Sequence, residues 1–213
     1  SAHHAGKDSP WEKGEGRVKL CVVLLAAGES RRFGRENKLL ALYHGRPMIV
    51  HALEKLGRLP CARRMAVVSD ERVDALAKEA GFQTVLNSEV EQGMSHSIHL
   101  GVKNAGDADA VLLCAADLPK LSRESLERLL HAFEQTGARA ACLTDGGIWG
   151  NPAVFSAACF DELLGLTGDR GAKHILMKEK AVRVPCVLSE ELNDADTPQA
   201  LCRLEKEIGQ KEK

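Results

Sequence analysis

Aromatic residues are scarce in this chain, only 4% of its 213 residues. A stacking platform for single-stranded nucleic acid needs several rings on one surface, so that role is excluded. An excess of either charge is missing too: 29 Lys and Arg face 30 Asp and Glu, for a formal net charge of −1. Such a balance excludes non-specific attraction to a phosphate backbone, and any anion site must be a local cluster. No apolar run approaches the roughly 18 residues that cross a bilayer, so neither nucleic acid nor a membrane is expected as a partner. The seven cysteines, at positions 21, 61, 114, 142, 159, 186 and 202, include no Cys-x-x-Cys pair. Their odd number and their placement in apolar runs exclude a disulfide framework or a zinc site and read as reduced thiols of a cytoplasmic protein. Residues 1–17 lack the apolar centre of a signal peptide. They read as a flexible tail ahead of one domain over 18–208, with 209–213 a second short tail. The common phosphate loops, Gly-x-x-x-x-Gly-Lys-Ser/Thr and Gly-x-Gly-x-x-Gly, are also absent after the first apolar run.

What is present is concentrated around residues 21–40. Cys21-Val22-Val23-Leu24-Leu25 is an unbroken apolar run rich in β-branched residues, the pattern of a strand buried on both faces. It opens into Ala26-Ala27-Gly28, small residues that let a ligand approach the backbone, followed by Ser30, Arg31, Arg32, Gly34 and Lys38. Backbone N–H groups of such a loop can form an anion nest while the cations neutralise charge at fixed distances. A buried strand followed by a basic surface loop would read the same way, so the remainder of the chain has to decide.

Apolar residues make up 44% of the chain and charged residues 28%, as in an ordinary globular domain. Pro47 suits the first turn of a helix, and Met48, Ile49, Leu53 and Leu56 space its apolar face. Strands are expected at 65–69, 84–87, 110–116, 139–143, 150–155 and 182–188. Helices are expected at 71–80, after Gly93 with Ser95 as cap, after the cap Ser122, in two short pieces over 163–177, and at the end near Ile208. This alternation predicts a single three-layer α/β/α domain with an open, mostly parallel sheet. Ligands bind such sheets beyond the carboxyl ends of the strands, where the loop 26–38, Asp70 and Asp117 all fall.

Asp117 ends the most hydrophobic strand without a local cation, and Asp194 and Asp196 form a second acidic point. Carboxylates beside a basic phosphate loop make a site for magnesium and a nucleoside triphosphate. A turn residue before Leu118-Pro119 and an N-cap before Thr197-Pro198 are the plainer readings of Asp117 and Asp196. His96 and His99, one helical turn apart, read as surface or core histidines.

Six motifs occur in a specific order: Ala27-Gly28 with Arg32, Gly34 and Lys38; Gly93-Met94-Ser95-x-Ser97; Asp117-x-Pro119; Gly150-x-Pro152; Gly168-Asp169-x-Gly171-Ala172; and Asp194-x-Asp196-Thr197-Pro198. Together they resemble the nucleotidyltransferases of GT-A-like fold, and among these the molybdenum cofactor cytidylyltransferases and MobA-like NTP transferases. The likeness covers Leu20 to about Leu201. It implies transfer of CMP from CTP to the phosphate of a molybdopterin-type cofactor, with release of pyrophosphate and no covalent enzyme intermediate. It implies Arg32, Lys38 and Asp117 as catalytic residues. Ala26, Ala27, Gly28, Arg32, Lys38, Gly93 and Ser97 would bind the nucleotide, and Asp117 and Asp196 would hold Mg2+. The partners implied are CTP or another NTP, a phosphorylated pterin acceptor, and a molybdoenzyme of the xanthine dehydrogenase type. Ser30, Ala116 and Asn151 stand where the family usually has glycine, glycine and histidine, and Arg31 is an extra cation. Asn151 leaves the acceptor more open than the nucleotide. A guanylyltransferase of the same cofactor, a transferase for another small phosphorylated acceptor, and a non-catalytic cofactor-delivery protein remain as alternatives. Guanylyl-transferring members tend to carry Ala-Gly-Gly where this chain has Ala26-Ala27-Gly28, which favours the pyrimidine.

Overall fold

The computed structural model describes residues 18–34 and 36–206. The expected tails and the helix end near Ile208 lie outside the described residues. The first strand, β1 (Leu20–Ala26), is buried along its whole length. Successive side chains of a strand point to opposite faces, and β1 divides accordingly. Leu20, Val22, Leu24 and Ala26 enter one apolar core, Cys21, Val23 and Leu25 the other. Both faces must therefore be covered, and the helices sort into two layers. One holds α1 (Met48–Gly57), α2 (Glu71–Glu79), α4 (Arg123–Thr136) and α7 (Pro198–Lys206). The other holds α3 (Met94–Lys103), α5 (Phe160–Leu164) and α6 (Lys173–Lys178).

Between the layers, β1 lies between two parallel neighbours, β4 (Arg63–Val68) and β6 (Ala110–Ala115). Outside β4 runs β5 (Gln83–Leu86), also parallel. On the far side β8 (Ile148–Ser156) is inserted antiparallel between β6 and β7 (Ala140–Asp145), and β9 (Val182–Pro185) closes that edge parallel to β7. The order is thus β5-β4-β1-β6-β8-β7-β9. A two-stranded ribbon, β2 (Leu42–Tyr43) and β3 (Arg46–Pro47), turns through His44 and Gly45, both at positive φ.

Three local expectations are corrected. Pro47 belongs to β3, at the position just before α1. Ser95 lies inside α3, whose cap position is Gly93; the Ser95 N–H instead donates to Gly168 O at 3.2 Å. The last strand stops at Pro185. Beyond it the Val187 and Leu188 N–H groups leave the sheet for Ser125 Oγ and the Glu191 carboxylate. Ser122 does cap its helix, its side chain accepting from Ser125 N.

Candidate active site

The carboxyl ends of β1 and β6 open on a cavity of about 750 Å³. Each wall comes from an element whose geometry has a local cause. The loop after β1 is closed by Ser30, whose Oγ accepts from the Lys38 N–H at 3.1 Å. Asn37 then caps a single 3-10 turn, Lys38–Leu40, by accepting from Leu39 N. This pair of bonds fixes where the Lys38 side chain starts. Ser30, which departs from the usual glycine, is therefore a staple of the loop.

Lys38 Nζ donates to Asp117 Oδ2 at 2.8 Å and to Asp196 Oδ1 at 2.6 Å. The second Asp196 oxygen accepts from the guanidinium of Arg32 at 3.0 Å. Lys38, Asp117 and Asp196 are only 16%, 17% and 23% exposed, whereas Arg32 is 75% exposed and reaches in from the rim. Burial works against the Lys38 charge, but Asp117 and Asp196 outweigh it and hold its pKa above the ordinary lysine value. Burial likewise opposes ionisation of Asp196, yet the bonds from Lys38 keep its carboxyl below the usual range. Asp194 goes the other way: burial, then the charges of Asp196 and Asp117, raise it.

The acidic loop is held firmly. Ala195 N donates to Asp117 O at 3.0 Å, joining it to the end of β6. Glu191, fully buried, accepts from Ser122 N, Ser125 Oγ and Leu188 N at 2.6–2.7 Å. Asp117, Asp194 and Asp196 each bring an oxygen within 4.8 Å of the other two. An all-oxygen anionic set of this kind fits a hard divalent cation. Asp70, at the same edge of the sheet, belongs elsewhere. It caps α2 and is bound by the Arg72 guanidinium.

Of the other expected residues, Ala27, Gly28, Gly93 and Ser97 line the cavity. Ala26 faces the opposite core. Gly93 adopts φ +83, and a Cβ there would meet Gly168 O at 2.7 Å, so no larger residue fits where the 168–171 turn crosses α3. Ser97 Oγ accepts from buried Asn87 Nδ2 at 3.0 Å, which leaves its hydroxyl proton to point at a ligand. Asn151 Oδ1 accepts from Ala115 N at 2.9 Å. It thereby continues the β6–β8 ladder by a side chain. His96 and His99 stack with ring centroids 6.2 Å apart, and neither belongs to a metal-ligand cluster among the described residues. Burial pushes the Cys114 thiol, on the strand leading to Asp117, up to about 12, which rules it out as a thiolate nucleophile at neutral pH.

Asn87, Glu191, Trp149 and Lys173 were missed from sequence. Asn87 and Glu191 act through burial, and a polar residue bounded by ordinary loop composition carries no sign of it.

A lysine shared by a strand-end carboxylate and one from the acidic loop, under a small-residue loop on a three-layer sheet, defines a nucleotidyltransferase of GT-A-like fold. The chain belongs to the MobA-like NTP transferase domain family, whose profile matches residues 22–184. It is 33% identical over 195 residues to the purine catabolism protein PucB of Bacillus subtilis, covering 84% of this chain and 93% of that one. It is 29% identical over 151 residues to a probable molybdenum cofactor guanylyltransferase of Pyrococcus horikoshii, covering 70% and 74%. The crystal structure of Rv0371c from Mycobacterium tuberculosis superposes with a TM-score of 0.75 at 21% identity, over 89% of this chain and 99% of that one. A second structure of that protein, in complex with manganese, gives 0.72.

Proposed function

We propose that the protein transfers CMP from CTP to the phosphate of a molybdopterin-type cofactor, releasing pyrophosphate, with Mg2+ as the metal. The observation that carries the nucleotidyl-transfer reading is the sharing of Lys38 Nζ between Asp117 and Asp196. A lysine held this way can leave for triphosphate oxygens while the carboxylates take up a cation. Asp117, Asp194 and Asp196 would hold magnesium, which when bound neutralises phosphate oxygens and orients them for in-line attack. Lys38 and Arg32 would carry the charge that grows on the α-phosphate and the departing pyrophosphate. Backbone groups of Ala27 and Gly28 would meet the base, as would Gly93 at the head of α3. Catalysis on this reading is positioning and charge neutralisation, with no side chain as nucleophile. The manganese complex of the structurally similar Rv0371c supports a divalent ion.

The pyrimidine is favoured by Ala26-Ala27-Gly28, where guanylyl-transferring members tend to carry Ala-Gly-Gly. Ser97, whose hydroxyl accepts from Asn87, would contact base or ribose. The guanine reading is supported by a relative's name, that of the Pyrococcus horikoshii protein. Turnover with molybdopterin and each of CTP, GTP, ATP and UTP in turn separates the two. Pyrophosphate release with CTP at least tenfold faster than with GTP is expected, and the reverse order assigns the protein to the guanine branch.

A further inference from the structure

One wall of the cavity, where Lys173 Nζ lies 4.1 Å from the centroid of the Trp149 ring, is held by its own residues. The acidic wall is not. Asp117, Asp194 and Asp196 each bring an oxygen within 4.8 Å of the other two, and like charges so close repel one another. Lys38 offsets that repulsion only while its ammonium stays between Asp117 and Asp196. Once it turns to a triphosphate, the loop that carries Asp194 and Asp196 has to be held from behind.

Behind it is Glu191, a carboxylate with no exposed surface, which does not line the cavity. Burying a carboxylate is costly unless it is well hydrogen-bonded, so packing alone does not account for it. One of its oxygens accepts from Ser122 N at 2.6 Å; the other accepts from Ser125 Oγ and Leu188 N, both at 2.7 Å. Ser125 Oγ in turn accepts from Val187 N at 2.9 Å. Successive amides of the loop thus converge on one carboxylate, one directly and one through the hydroxyl. Both serines belong to the head of α4, where the helix dipole also favours an anion. The short segment from Asp117 to that helix head is itself pinned, Lys55 Nζ donating to Pro119 O at 2.9 Å. The turn that places Glu191 is strained: Glu190 has φ +67, which residues other than glycine rarely adopt. Such a conformation persists only where its surroundings enforce it. Here Lys120 Nζ pairs with Glu190 at 2.7 Å, and Asn193 N donates to Glu190 O at 3.2 Å.

We propose that Glu191 is a positioning residue for the metal: locked into the head of α4, it holds Asp194 and Asp196 against Asp117 and thereby sets the affinity for a divalent ion. The inference rests on the metal-dependent transferase reading and deepens it by a residue outside the cavity. Its test is binding without turnover. Mn2+ is titrated into the full-length protein with a CTP analogue whose methylene bridge between the α- and β-phosphorus blocks transfer, and free Mn2+ is read from its EPR signal. Glu191→Gln keeps the volume but turns an amide donor toward N–H or O–H groups, and should weaken Mn2+ roughly tenfold or more. Ser125→Ala leaves both acidic segments intact and should weaken it about three- to tenfold. Adding Ser125→Ala to Glu191→Gln should cost less than about twofold more, because both act through one carboxylate. Leu163→Ala opens a cavity in α5, on the other face of the sheet. It should lower the melting temperature yet leave Mn2+ affinity within about twofold of the parent. A folded Glu191→Gln or, should that variant not fold, a Ser125→Ala within about twofold of the parent overturns the proposal. An equal loss in Leu163→Ala overturns it too, by marking the effect as general instability. Failure of the transferase reading shows separately: no Mn2+ uptake by the parent with the analogue present overturns the metal site and this inference with it.

Discussion

Lys38 is the residue on which the site turns, and its removal should act on stability and on activity by different routes. In Lys38→Ala, Asp117 and Asp196 lose the ammonium between them, and three carboxylates within 4.8 Å face one another. Breaking a buried pair costs about 3–5 kcal/mol. These groups keep some solvent, so roughly 1–3 kcal/mol is expected here after discounting for screening. Magnesium should restore part of it, because a dication can take over the neutralising role. Melts of parent and variant with and without millimolar Mg2+ check this: a gap between the two proteins that stays the same in the metal rules out a shared site. Asp117→Asn keeps the shape and removes one charge, and should lower kcat about a hundredfold or more. Turnover within tenfold of the parent would reduce Asp117 to a turn residue.

Elements are joined at this molecule's closest approaches, and α3 makes one with the central strand. A Cβ at Gly101 would lie 2.6 Å from Val23 Cγ1. Gly101→Ala should therefore destabilise by about 1–3 kcal/mol, despite the better helix propensity of alanine. Adding Val23→Ala should make the double variant less unstable than the sum of the two, and strict additivity in urea unfolding would show that the two do not touch. At the head of α2, the bonds from Arg72 hold the Asp70 carboxyl at about 2. A depressed carboxylate stabilises above its unfolded value and loses that contribution as the pH falls through the folded one. Asp70→Ala should cost about 1 kcal/mol at pH 7. The gap should persist to about pH 4 and then narrow progressively as the pH falls towards 2; urea titrations across that range test it, and a gap already closed at pH 4 contradicts the pairing. The strands and most helices were legible because their apolar runs and caps are local signals, as at Ser122. Ser95 misled because a serine after glycine looks like a cap, whereas the 168–171 turn, far away in sequence, is what lies against that helix.

At the scale of the whole molecule, binding of nucleotide should register as global stability. At a concentration about a hundredfold above the dissociation constant, CTP with magnesium should add roughly 2.7 kcal/mol. For a domain of this size that is an upward shift of roughly 5–10 °C in melting temperature. GTP at equal concentration should give much less, and a larger shift with GTP would move the assignment to the guanine nucleotide. The parallel half of the sheet and the placement of its loops followed from the alternation of elements. The insertion of β8 between β6 and β7 did not, because strand order depends on contacts between distant segments that no local pattern encodes. The same holds for Trp149 and Lys173, separated in sequence and brought to one wall only by that insertion.

If nucleotide and metal bind as proposed, the ammonium lodged between Asp117 and Asp196 would also make the protein a coincidence detector. A free metal ion arriving alone has to evict a cation that has nowhere better to go. A triphosphate arriving alone has to draw that cation away and leave bare acids behind. Only when both arrive together would every charge find a partner, and the resting protein would then sit among millimolar ions without being occupied by them.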